Sequence, residues 1–170
     1  MKPRPELLLH PNVPKPLHGM SPRELLGKEW WDKVRQKVYK QAEYRCQACN
    51  TPKVWAKYHK WLEAHEVYEY DYTVGRARMI EIVALCHSCH SFIHSGYLRV
   101  RLDRGLIDPK QFQEILAAGN RLTKNLAKPM IPTEIAEWSK WHIVIGDRVF
   151  PTKWASYEDW QKHYSGSAAQ

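Results

Sequence analysis

The stretch Leu85-Cys86-His87-Ser88-Cys89-His90-Ser91-Phe92-Ile93-His94 decides how this chain folds. It joins an apolar run, Ile82-Val83-Ala84-Leu85, to a Cys-x-x-Cys knuckle and then to two histidines four residues apart. The β-branched run from Arg78 to Leu85 reads as a strand. A helix follows the knuckle directly, with Gly96 as its stop. On that helix a four-residue spacing puts His90 and His94 on one face, roughly 5–6 Å apart at Cβ, within reach of a common metal ion.

Working outward, the other two cysteines form a second knuckle, Cys46 to Cys49, and 36 residues separate the pairs. Two Cys-x-x-Cys turns with no cysteine left over read as a Cys₄ zinc site. The start of the chain has no apolar core of signal-peptide length, so the expected compartment is the reducing cytoplasm and disulfides are a poor reading. Between the knuckles, Trp61–Tyr70 reads as a strand that turns near Gly75 and returns through Arg78–Leu85. That strand carries Leu62-Glu63-Ala64-His65-Glu66-Val67, and His65 is the candidate third ligand beside His90 and His94.

The 170 residues carry 26 Lys plus Arg against 18 Asp plus Glu, a net charge of +8. No apolar run approaches the ~20 residues that cross a bilayer. These values argue against a secreted, membrane or acidic-ligand-binding protein and favour a polyanion partner, most simply nucleic acid. Basic side chains near the candidate site are Lys53, Lys57, Lys60, Arg76, Arg78, Arg99 and Arg101. Eight tryptophans read mainly as core filling.

The division expected from the chain is a proline-rich arm over 1–22, a zinc-held core with its preceding helix over 23–100, a helical and hairpin extension over 101–164, and a tail over 165–170. Ser21-Pro22-Arg23-Glu24 is a helix start, with a helix continuing or restarting through Trp30–Glu43. Asp108-Pro109 begins another helix. Ile143-Val144-Ile145, Gly146-Asp147 and Val149-Phe150 form a hairpin, and Ser156 to Asp159 resembles a capping box before a terminal helix.

The knuckle, the strand ending in a histidine, the returning apolar strand and Leu-Cys-x-x-Cys-His with a further His resemble the HNH (ββα-metal, His-Me finger) endonuclease family. The resemblance covers Cys46 to His94, and the whole is similar to small phage-encoded HNH proteins. It implies an α+β fold: a small zinc-stapled ββα-metal core with flanking helices and a C-terminal hairpin. It also implies hydrolysis of phosphodiester bonds in DNA, most simply double-stranded DNA in a host cytoplasm. Zinc on Cys46, Cys49, Cys86 and Cys89 would be structural. A second divalent ion (Mg²⁺, Mn²⁺, Ni²⁺ or Zn²⁺) on His65, His90 and His94 would be catalytic.

Aligning Glu63-Ala64-His65-Glu66 with the family's Glu-Ala-His-His form puts Glu66 in the place of the general base, and His65 in that of a ligand. The alternative alignment with the family's Asp-His form makes His65 the catalytic base and leaves Ala64, which cannot bind metal, in the ligand position. The family's middle Asn falls on Glu81. Glu66 and Glu81 are therefore departures, and they motivate an alternative: a catalytically degenerate HNH-like zinc module that binds nucleic acid or a protein partner without cutting. A metal hydrolase of another class on the same scaffold is a third reading. The sequence contains no sequence-specific reader, so a protein partner could supply targeting.

Overall fold

The computed structural model describes residues 2–166. The fold is α+β, with six α-helices and one four-stranded sheet in the order β1-β2-β3-β4 among those residues. Two compact units compose it. Among the described residues, the first takes 2–12, 33–67 and 82–129; the second takes 13–32, 68–81 and 130–166.

The proline-rich N-terminal residues are packed rather than loose. Two short 3₁₀ turns, Pro5–Leu9 and Lys15–Leu17, bury Leu7, Leu8, Pro16 and Leu17. Arg4 N–H is bonded to Gln47 O at 2.8 Å. Helix α1 (Pro22–Leu26) starts with the reciprocal cap that Ser21 and Glu24 predict: the Ser21 side chain accepts from Glu24 N, and the Glu24 carboxylate from Ser21 N at 3.1 Å. Such a cap contributes about 1 kcal/mol. Gly27 ends it at φ +88, a conformation other residues adopt at a cost, and α2 (Lys28–Gln41) restarts at once. Val38 and Ala42 turn inward, as their spacing predicts.

The expected strands are β1 (Leu62–Asp71) and β2 (Arg76–Cys86); residues 62–67 and 82–86 of them belong to the first unit, where α3 (His87–Ile93) follows β2 without a linker. Gly96 is not the stop. The helix breaks two residues earlier, at His94 (φ −91, ψ 42), and α4 (Ser95–Asp103) begins there with Gly96 inside its first turn. α5 (Pro109–Thr123) is capped by Asp108, whose carboxylate accepts from Gln111 N at 2.7 Å. The core joins Leu7, Leu8, Ala42, Leu62, Val67, Val83, Leu85 and Ile93 to the cysteines. Leu98, Ile107, Phe112 and Ile115 form a second cluster.

In the second unit, β2 pairs in parallel with β3 (His142–Ile145), Ala77 opposite Ile143. β3 pairs antiparallel with β4 (Arg148–Pro151), closing the hairpin at Gly146-Asp147. Leu17, Met20, Tyr68, Trp141, Ile143 and Ile145 fill this core. α6 (Tyr157–Gly166) is capped by Ser156, whose Oγ accepts from Asp159 N at 3.2 Å, while Asp159 Oδ2 accepts from Ala155 N, the residue before the cap, at 3.1 Å. The expected tail thus gives its first two residues to this helix; the remainder, 167–170, lies outside the described residues.

The tryptophans do not mainly fill the core. Only Trp141 and Trp154 are buried, while Trp55 and Trp61 are 76% and 56% exposed. Small alanines and the cysteines take much of the interior of the first unit instead. No helix among the described residues is long and apolar enough to cross a membrane.

Candidate metal centre

The first knuckle is a tight turn. Cys46 N donates to Thr51 O at 2.9 Å, Asn50 N to Cys46 O at 2.7 Å, and Asn50 takes a positive φ of 62°. Asparagine tolerates that region better than most residues. Gln47 ties the knuckle to the strand leading into the second one. Its N–H donates to Ala84 O at 2.8 Å, and its side-chain oxygen accepts from Ala84 N at 2.7 Å. The second knuckle spans the end of β2 and the first turn of α3, with Cys86 at the N-cap.

The four sulfurs all lie within 4.8 Å of one another and could hold a metal ion such as zinc. They also perturb one another. Hydrogen bonds from Cys46, Cys86 and Cys89 hold Cys49 far below the usual thiol range. Bonding to Cys46 and Cys49 pushes Cys86 and Cys89 upward. Four crowded sulfurs with at least one held as thiolate are the donor set that a soft or borderline cation prefers.

Beside this staple, His65 from β1, His90 from α3 and His94 at the helix break converge. Each offers a ring nitrogen, and the three nitrogens lie within 4.8 Å of one another. Ring centroids are 5.5 Å apart for His65 and His90, 5.1 Å for His65 and His94, and 4.6 Å for His90 and His94. His65 is only 4% exposed, and its Nε2 has no hydrogen-bond partner among the described residues. Leaving such an atom unsatisfied costs about 1–3 kcal/mol.

Burial, then the neighbouring histidines, pull His65 down to about 2. Burial and His90 likewise bring His94 to about 4. Both rings are therefore neutral near pH 7, the form that ligates. A buried, orphaned, neutral imidazole nitrogen facing two others fits a cation.

Glu63 organises the group from below. Its Oε1 lies 2.7 Å from His87 Nδ1 and its Oε2 2.5 Å from His90 Nδ1. Burial acts to raise this carboxyl, but the bonds from His87 and His90 overcome it and hold the group well below the carboxylate range. His59, Glu63 and His87 make a third close set, again within 4.8 Å. Sequence reasoning missed all three of these residues. Strand alternation, which places residues 63 and 65 on one face, was the available signal for Glu63.

Glu66 and Glu81 fall outside all three sets. Burial raises Glu66, opposed by a bond to its own backbone N–H and by the field of His90.

The cleft over the trio, about 160 Å³, is lined by Glu63, His87, His90, Ser91, His94, Tyr97, Leu98 and Arg101. Of the seven basic candidates, Arg101 alone lines it. Lys57 pairs with Glu114 at 2.7 Å, Lys60 Nζ donates to Ala56 O at 2.9 Å, and Lys53 lies over the Tyr44 ring. Arg99 pairs with Asp103 at 3.0 Å. Arg76, paired with Asp71, and the exposed Arg78 belong to the second unit.

No family model matches the chain, and no significant match arises among the curated proteins or the solved structures.

Proposed function

We propose that the chain is a metal-dependent endonuclease of the HNH kind, hydrolysing phosphodiester bonds in double-stranded DNA. The observation that carries this reading is the convergence of His65, His90 and His94 around the orphaned His65 Nε2, with His90 and His94 lining a cleft that also presents Arg101. Three imidazoles, and a guanidinium that pairs with no carboxylate among the described residues, suit a phosphate-bearing substrate.

His65, His90 and His94 would hold the divalent ion, and the four cysteines a structural zinc ion. When bound, the ion in the imidazole trio supplies Lewis-acid stabilisation of the charge developing at the phosphorus and the leaving oxygen. Glu63 keeps Nδ1 of His90 occupied, which leaves Nε2 as that ring's donor. Arg101 binds a non-bridging phosphate oxygen and orients the diester. By its alignment with the family's second histidine, Glu66 would accept the proton of the attacking water; strand alternation sets it on the face opposite His65, so this role requires a local bend of β1 that turns the carboxylate toward the ion.

The test is nicking of supercoiled plasmid with Mg²⁺, Mn²⁺, Ni²⁺ or Zn²⁺, with wild type against His90→Ala and Glu66→Gln. Cleavage lost in His90→Ala supports the reading. Cleavage lost in Glu66→Gln with the metal retained supports Glu66 as the base; undiminished cleavage removes it from that role.

The second reading, a nucleic-acid-binding module without cleavage, is favoured by one observation: Glu66 and Glu81 stand outside the ligand sets. Salt-sensitive DNA binding with no cleavage under any metal would select it.

A further inference from the structure

The hydrolytic reading uses neither His59 nor His87, although both sit against Glu63. Three separate pieces of the chain bring these groups together: the loop before β1, β1 itself and the first residue of α3.

Each donor is held in place independently. His59 closes a three-residue turn, its N–H bonded to Lys57 O at 2.9 Å, and Tyr58 at the centre has φ +71. A non-glycine residue at positive φ in such a turn costs about 1–3 kcal/mol. Two bonds to one carboxylate hold the strained turn, Tyr58 Oη and Lys57 Nζ each lying 2.7 Å from Glu114 Oε2. The result is a fixed ring at His59. It stacks on Trp61 at 4.2 Å and 12°, and its centroid lies 4.2 Å from that of His87. His87 is buried. Its Nε2 lies 3.4 Å from Ser91 Oγ, so Nδ1 is the nitrogen that meets Glu63. The turn also packs Tyr58 against the Leu98, Ile107, Phe112 and Ile115 cluster, and it presents the His59 ring to Glu63 and His87 with ligand atoms of all three within 4.8 Å of one another. Strain held beside such a donor set points to a ligand role.

We propose that His59, Glu63 and His87 form a further divalent-metal site, adjoining the imidazole trio and joined to it through Glu63. One carboxylate oxygen faces each group: Oε1 meets His87, and Oε2 meets His90. Two imidazoles and one carboxylate select first-row transition ions, Zn²⁺, Co²⁺ or Ni²⁺, over Mg²⁺ or Ca²⁺. Three protein donors leave a coordination position open. The bridging role of Glu63 rests on the proposed reading of the trio; the His59 site itself does not.

The test counts ions. The full chain is saturated with Zn²⁺, desalted and analysed by inductively coupled plasma mass spectrometry. Three ions per wild-type chain are expected, with two in His59→Ala and two in His94→Ala. An unchanged count in His59→Ala overturns the site, whatever His94→Ala does. A loss in His59→Ala with none in His94→Ala supports the site and overturns the metal reading of the trio. Loading with Co²⁺ gives a thiolate charge-transfer band from the cysteine site, which reports folding of each variant. If His59→Ala loses that band, the count is repeated on His59→Gln, where loss of one ion supports the site and no loss overturns it.

Discussion

Oε2 of Glu63 sits 2.5 Å from Nδ1 of His90. That contact fixes the ring's rotation and reserves its second nitrogen for the cluster with His65 and His94. Outer carboxylates of this kind typically change metal affinity 10–100-fold. Glu63→Gln is therefore expected to weaken divalent-ion binding at the trio by roughly that factor while the cysteine site keeps its ion. Calorimetric titration with Mn²⁺ on protein carrying a single zinc ion at the cysteines reads the first, and the thiolate charge-transfer band after Co²⁺ loading reads the second; an undiminished affinity would show that Glu63 does not orient His90.

Arg101 lines the cleft and pairs with no carboxylate among the described residues. Arg101→Ala should weaken DNA binding uniformly across sequences and lower the salt slope by about one. Binding isotherms at several salt concentrations check this. An unaltered slope would place the phosphate elsewhere.

The cysteine staple joins residues from both knuckles within the first unit's core. A structural zinc ion contributes about 10 kcal/mol or more of folding free energy, comparable with the ~5–15 kcal/mol that stabilises a whole domain. Chelation, or Cys89→Ser, should unfold the first unit rather than merely soften it. Circular dichroism melting with and without chelator would reveal the change, and an unaffected melt would mean that the packing suffices alone.

Gly119 lies in α5 where a Cβ would fall 2.1 Å from Phe92 Cδ2. Alanine in a helix interior usually gains up to about 1 kcal/mol over glycine. Overpacking a core costs about 1–3 kcal/mol, so the clash wins. Gly119→Ala should destabilise by roughly that difference, measurable by urea denaturation.

His18 in the second unit is neutral by construction. Its Nε2–H donates to Val13 O at 3.0 Å, and its Nδ1 accepts from Trp160 Nε1 at 3.2 Å. Burial, aided by Lys15 and opposed by the Val13 bond, lowers its pKa below the usual 6.5. The unfolded chain then binds the proton more readily than the native one. His18's stabilising contribution is complete above 6.5 and is lost as pH falls from there towards the lowered native value. Melting temperature against pH should slope upward through that window, and the slope should shrink in His18→Gln.

Local signals were legible. The cysteine spacing, the capping residues Ser21, Asp108 and Ser156, and the alternation along β1 and β2 act over a few residues, and each is where the chain predicts it. Relationships across the fold were not. Glu63 reaches His87 over 24 residues, and periodicity reports a face but not what faces it. His59 sits in a loop whose strained turn depends on Glu114, far along the chain. The helix break at His94 has no marker in composition, so Gly96 drew the expectation instead. The aromatic residues misled because large apolar side chains are common on surfaces, whereas the interior here is small and sulfur-rich.

Each of the two units is assembled from three discontinuous stretches, and the backbone passes from one to the other five times. A cut anywhere between residues 33 and 129 would therefore leave both units incomplete. Residues 2–12 cannot join the first core until chain more than twenty positions away has been made. Productive folding must await most of the polypeptide, with the ordering entropy of long loops paid before the distant contacts form. Functional dissection of this protein belongs to point substitution, not to truncation.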